Sequence, residues 1–289
     1  MLALGTTGAQ DIVTNGNPKA NLAGCSIMAN TSARCNGHNL NADYGLAHGT
    51  NSGCGVTQVS GVPAVADPYA SLAKNIPPST CGSYPQEPTK KSDPPLTAWN
   101  GTSGNTFSGT YTLSGNVQIC GDLQLTGNVT INATSGAVLI IENGQLDTNG
   151  YELTTSSGSG LTVVFSGTNG GSYVHAPTGG GTLDIAAPTS GPWSGVAIYQ
   201  DSNLTTGVDI SAAGSSPTWD ITGLVYLPNS NVTLSGAVNK SSNGQSCFVI
   251  VMNAITINGT GDILENGGCS KTGLTMPTAS VPARGQLVQ

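Results

Sequence analysis

The chain has 289 residues, 8% of them charged, and a formal net charge of -7. Ordinary soluble domains carry roughly 25% charged residues, so this surface is polar but nearly uncharged. Its eight Lys and Arg include one adjacent pair, Lys90-Lys91; without a clustered basic face, nucleic acid and anionic membranes are excluded as partners, and no apolar run reaches the roughly 20 residues that span a bilayer.

In chain order, residues 1–75 read as a cysteine-rich β section holding Cys25, Cys35 and Cys54. Its start, Met1-Leu2-Ala3-Leu4-Gly5, lacks the basic and long apolar regions of a secretion signal. Pro68–Ala73 is the one short stretch with helical character. Residues 76–98 form a Pro-rich connector from Ile76-Pro77-Pro78 through Pro95. From 99 to 289 short runs rich in Val, Ile, Leu and Thr alternate with Gly- and Asn-containing turns, the pattern of strands.

Within that region Leu113-Ser-Gly-Asn-Val117-Gln-Ile119 is echoed by Leu125-Thr-Gly-Asn-Val129-Thr-Ile131, with weaker echoes at Val232–Gly236 and Ile255–Gly259. A strand–turn–strand unit that cannot bury its own apolar face is stabilised by stacking on the next. The expected fold is therefore all-β, a right-handed parallel β-helix or β-solenoid over 99–289, with the cysteine-rich section packed on its end or continuous with it. A β-sandwich is the competing architecture. The Asn of each turn is read as a turn former that tolerates left-handed backbone.

Seven cysteines occur, none in a C-x-x-C pair, so neither a redox dithiol nor an ordinary zinc site is indicated. Disulfides in an oxidising compartment are the expectation. Cys247 and Cys269 flank the strands Phe248–Met252 and Ile255–Ile257 and are the first candidate pair. Cys81 with Cys120, and two of Cys25, Cys35 and Cys54, follow. Cys35, His38, His48 and Cys54 are weighed as a zinc site and set aside in favour of disulfide bonding.

Catalytic patterns are absent: there is no H-E-x-x-H, Walker loop, G-x-S-x-G or dinucleotide fingerprint. Gly191-Pro192-Trp193-Ser194-Gly195 is read as a turn, and Gly179–Ile185 approaches a calcium-binding nonapeptide only once. No cofactor and no metal are expected. Glycoside hydrolysis needs two carboxyls about 5 to 10 Å apart, and an enzyme of that kind is the runner-up reading. Glu142 with Asp147, or Asp201 with Asp209, are the pairs that can converge. Between Trp99 and Cys269 there is no Arg and a single Lys, Lys240, too little for a lyase base. Trp193 and Trp219 sit near Gly, Pro or Asp and are the candidate contacts for a sugar ring.

Several ordered segments resemble the TadG-like proteins of Flp (tight-adherence) pilus assembly. They are Leu2-Ala3-Leu4-Gly5, Gly24-Cys25-Ser26-Ile27-Met28-Ala29-Asn30-Thr31-Ser32, Gly53-Cys54-Gly55 and Asp67-Pro68-Tyr69-Ala70-Ser71-Leu72. Further along come Gly109-Thr110-Tyr111, Ile119-Cys120-Gly121-Asp122-Leu123, Ser194–Asp201, Gly223–Asn229, Cys247, Cys269 and Leu287-Val288-Gln289. The resemblance implies an extracytoplasmic region, in the periplasm or at the cell surface, with a membrane anchor preceding it in the full-length protein. It implies a non-enzymatic structural or adhesive role in pilus assembly or surface attachment. Its partners are proteins of the pilus or cell-surface machinery, with surface polysaccharide as a further partner. A self-assembling extracellular fibre subunit is the other structural reading, since stackable ends and low charge favour polymers.

Overall fold

The computed structural model describes residues 1–79, 81, 105–168, 174–204, 209–212, 218–235, 237–238, 247–259, 262–264 and 274. Eight short strands come first: β1 (Leu2–Ala3), β2 (Ile12–Asn15), β3 (Lys19–Asn21), β4 (Ser26–Ala29), β5 (Ala33–Cys35), β6 (Tyr44–Ala47), β7 (Asn51–Ser52) and β8 (Thr57–Ser60). A 3-10 helix, Ala70–Asn75, follows. Two long strands come next, β9 (Thr106–Cys120) and β10 (Leu123–Glu142). Then come β11 (Leu146–Asp147), β12 (Glu152–Thr155), β13 (Leu161–Ser166), β14 (Pro177–Thr178), β15 (Thr182–Ala186) and β16 (Val196–Gln200). The last are β17 (Asp209–Ala212), β18 (Thr218–Leu234), β19 (Ala237–Val238), β20 (Phe248–Asn258) and β21 (Asp262–Leu264).

Every described strand pairing is parallel, most of them along three ladders, with a further register from β9 through β10 and β11 to β14. The first ladder carries Val117, Leu139, Val163, Ile198 and Val225 in register, continues to Ile250, and is extended through β1, β4, β6 and β8. A second ladder runs from the end of β18 through β20, β2, β5 and β7. The third joins β12 and β15 to β18, then β19, β21 and β3.

This pattern corrects the expected right-handed parallel β-helix or β-solenoid. The strands close into an eight-stranded parallel β-barrel with further strands outside it. Part of the closure is explicit: β10 pairs with both β12 and β13, β12 with β15, β13 with β16, and β15 and β16 both with β18. The circuit closes because β10 and β18 run on through positions expected to be turns, so each belongs to more than one ladder. The sequence echo also has a different meaning. Leu113 pairs with Ala133 and Leu125 with Phe107, so the two Ser/Thr-Gly-Asn segments do not stack on each other. They mark bends instead: Gly115 has φ 60°, and Thr126-Gly127-Asn128 spans the register shift between Leu125 and Val129 on β10.

The cysteine-rich section is not a separate body. Leu2 pairs with Val251 and Ile12 with Ile255, so β1 to β8 extend the ladders beyond β20. One continuous core results, from Phe107 and Leu125 at one end to Ala33, Leu40 and Cys54 at the other.

Strands of the first ladder are apolar on both faces: Leu161–Ser166, Val196–Gln200 and the start of β20 are buried at every position. Inward residues such as Leu139, Phe165 and Ile198 fill the core. Outward ones, including Val138, Val164, Tyr199, Tyr226 and Val251, form a second cluster with Val62, Val65, Tyr69, Leu72 and Ile76. Residues 62–81 therefore act as a strap across the outer face of this ladder. Its bonds follow the ladder tier by tier. His48 Nδ1 lies 2.8 Å from the Val62 carbonyl, and Asn30 exchanges two hydrogen bonds with Val65. Tyr226 Oη then donates to Asp67, and Asn75 Nδ2 to the Pro192 carbonyl. Finally Ser79 Oγ donates to Glu142 and Cys81 is joined to Cys120. The connector expected at 76–98 lies mostly outside the described residues.

Candidate functional site

The densest group of polar side chains lies on the outer side of the ladder through β11. A β-strand presents alternate residues outward, so Asp122, Gln124, Gln145, Asp147 and Thr178 fall on neighbouring tiers around the Leu123–Leu146–Pro177 register. Thr178 Oγ1 donates to Gln145 Oε1 at 2.8 Å. Gln145 in turn donates from its backbone N–H (2.9 Å) and its Nε2 (3.1 Å) to the two oxygens of Asp122. Gln124 Nε2 donates to Asp147 Oδ2 at 3.0 Å, while Asp147 Oδ1 accepts the Asn149 N–H at 2.9 Å.

Burial raises the Asp122 carboxyl above its ordinary range; the hydrogen bonds from Gln145 oppose this, and the neighbouring Asp147 charge adds to it. The arrangement is a pair of acids in one electrostatic field, with Asp122 holding its proton more tightly than a free carboxyl does. That is the raw material of acid–base chemistry, although each described oxygen is engaged by an amide.

The acid pairs singled out from sequence are placed differently. Glu142 is buried on another ladder and receives Ser79 Oγ at 2.8 Å and Gln118 Nε2 at 2.6 Å, away from Asp147. Asp201 closes a local turn by accepting from the N–H and Nδ2 of Asn203. Asp209 is paired through its backbone with Asn231. The acids that share a field, Asp122 and Asp147, were missed because they lie on tiers related by the 23-residue offset of Leu123 and Leu146, which the twelve-residue echo concealed.

Trp193 and Trp219 need correction as sugar contacts. They are only 4% and 3% exposed. Trp193 packs on Tyr199 with centroids 4.9 Å apart, and Trp219 belongs to the core. Neither ring is available to stack on a ligand.

Among the described residues two disulfides have both partners placed, Cys35–Cys54 and Cys81–Cys120, with Cα–Cα distances of 4.9 and 5.7 Å. Cys247 is also disulfide-bonded, while Cys269 lies outside the described residues; Cys25 is not in either of the two described bridges. The two histidines weighed as zinc ligands have other roles: His38 Nδ1 accepts the Leu40 N–H, and His48 bonds the strap. No group of three metal-ligating side chains occurs among the described residues. Disulfides fit an oxidising compartment. Among the described residues, no helix is long and apolar enough to cross a membrane.

A buried polar row escaped the sequence reading altogether. His175 Nε2 lies 3.4 Å from Asn143 Oδ1, the His175 carbonyl accepts Gln200 Nε2 at 2.7 Å, and the same Nε2 reaches Ser230 Oγ at 3.1 Å. Burial pushes the His175 imidazole down to about 4, so it is neutral at physiological pH and serves as packing with hydrogen bonds. The only available signal was polar residues ending successive apolar runs.

Fold and site together define an all-β, disulfide-stapled barrel with polar columns on its outer surface. The chain belongs to the family described as a domain of unknown function, DUF7305, whose family model matches residues 87–263. No curated protein and no solved structure matches it.

Proposed function

We propose that this chain is a non-enzymatic, extracytoplasmic structural or adhesive component, in the periplasm or at the cell surface, associated with Flp pilus assembly or surface attachment. The observation that carries the reading is the pair of disulfides, one at each end of a single continuous core. Such staples persist in oxidising compartments and suit a rigid part that must hold its shape outside the cell. The association with pili rests on the resemblance of the ordered segments to TadG-like proteins, and pilus or cell-surface proteins are the partners this reading calls for. Deleting the gene tests it: pili and surface attachment fall, and the wild-type protein is recovered outside the cytoplasm with its cysteines oxidised. Normal piliation and attachment in the deletion strain overturn the role; reduced cysteines in a cytoplasmic fraction overturn the compartment.

A second reading, a carbohydrate-active surface with polysaccharide as its partner, is favoured by one observation, the raised Asp122 beside Asp147. Hydrolysis or binding of surface polysaccharide that is lost in both Asp122→Asn and Asp147→Asn supports it. Activity retained in both variants dismisses this pair as the site.

A further inference from the structure

We infer that the β9 end of the barrel is a dimer interface, where β9 pairs antiparallel with β9 of a second copy about a two-fold axis. Among the described residues β9 is paired with β10 alone, and most of Thr106–Asn116 is exposed. Natural sheets defend exposed edges with charges, proline or short strands. Thr106–Cys120 contains no charged residue and no proline.

The core is also unfinished at this end. Phe107, Tyr111, Val117 and Ile119 are only partly buried against it, whereas their register partners Leu125, Ile131, Leu139 and Ile141 are 0% exposed. At the opposite end the last strand, β8, also pairs on one side, with β6, but it is only four residues long and side-chain amides bond the backbone beside it. Asn51 Nδ2 donates to the Gly45 and Cys54 carbonyls at 2.7 and 2.9 Å, Asn51 Oδ1 accepts the Cys54 N–H, and Gln58 accepts the Gly53 N–H. A four-residue strand at one end and a long uncharged one at the other are poorly matched for head-to-tail stacking, which favours a contact of the β9 end with itself.

The occupant must supply an extended, uncharged strand of matching length whose apolar side chains continue the core. The other long strands are engaged on both edges: β10 by β9 and by β11, β12 and β13; β18 by β15, β16 and β17 and by β19 and β20; β20 by β18 and by β1 and β2. A second β9 meets the requirement, and a two-fold contact of a surface with itself is the commonest closed association.

The inference adds a partner to the structural reading above and fails separately from it, since a monomer can still attach a cell to a surface. The test uses the 289-residue chain with its disulfides intact. Light scattering on a sizing column is expected to give twice the 28.9 kDa chain mass. Single substitutions Thr110→Cys, Thr112→Cys and Ser114→Cys, near the middle of β9, are expected to yield self-cross-linked dimers upon oxidation, strongest at one position, whereas Ser60→Cys on β8 yields none. A β9-to-β8 cross-link or open-ended polymers overturn the two-fold arrangement. A monomer at every concentration overturns the dimer, and a monomer in which Tyr111 is shielded from solvent places another part of this chain over the end.

Discussion

At the β8 end the core tapers into small residues, Ala33, Ala42 and Cys54, closed by a disulfide between neighbouring tiers and by amide side chains bonded to backbone carbonyls. At the β9 end it stops on large residues, with Phe107 and Tyr111 stacked 4.3 Å apart, and the disulfide there ties in the strap rather than the next tier. A stack of strands can thus be ended in two ways. A short strand with bonded amides beside it terminates it, while leaving apolar rings half-covered keeps it receptive.

The largest expected effects come from the disulfides at the two ends. Chain entropy assigns about 4 kcal/mol to a cross-link of the Cys81–Cys120 separation and about 3 kcal/mol to that of Cys35–Cys54. Urea unfolding of the paired Cys→Ser variants, without reductant, measures both. A greater loss at the β8 end breaks the view that the strap unites the tiers.

Core truncation comes next. Ile131→Ala, one tier inside the β9 end, is expected to cost about 3 kcal/mol, and Tyr111→Ala, in register with it, less than half as much. Equal losses by thermal unfolding mean that the end is covered.

The middle of the barrel supplies a pH-dependent reference of similar size. His175 is lowered from 6.5 to about 4. Below pH 6.5 the unfolded chain binds a proton that the folded chain refuses. Stability is therefore full above 6.5 and falls toward pH 4 by up to about 1.4 kcal/mol per pH unit, roughly 3 kcal/mol in all. His175→Gln should flatten that slope, and an unchanged slope assigns the titration to another group.

The smallest effect is the Phe107–Tyr111 coupling, expected at about 1 kcal/mol in a double-mutant cycle. A coupling near zero means that the rings contribute only as separate surfaces.

Much of the β architecture was legible because the apolar runs at 137–141 and 248–252 are strands of the first ladder. Their unbroken hydrophobicity, rather than alternation, reflects burial on both faces, and the covering element was a segment chosen for weak helical character. Tier spacing was not legible. Leu153 pairs with Leu183 but Val163 with Ile198, so bends of differing length hide any fixed period. For the same reason the acids that share a field, Asp122 and Asp147, looked unrelated. The tryptophans were misplaced because Gly and Pro neighbours mark turns without saying whether a ring folds inward.

The pairing of Leu2 with Val251 bears on synthesis. The first sixty residues leave the ribosome, and any export channel, before the strand on which they stack exists. Their tiers must wait until β20, Phe248–Asn258, has been made, with apolar edges uncovered. Contacts so distant in sequence form slowly and are prone to misassociation meanwhile. Folding of this chain is therefore timed by its carboxyl-terminal part, and a product truncated before residue 248 strands its own beginning without a surface to fold upon.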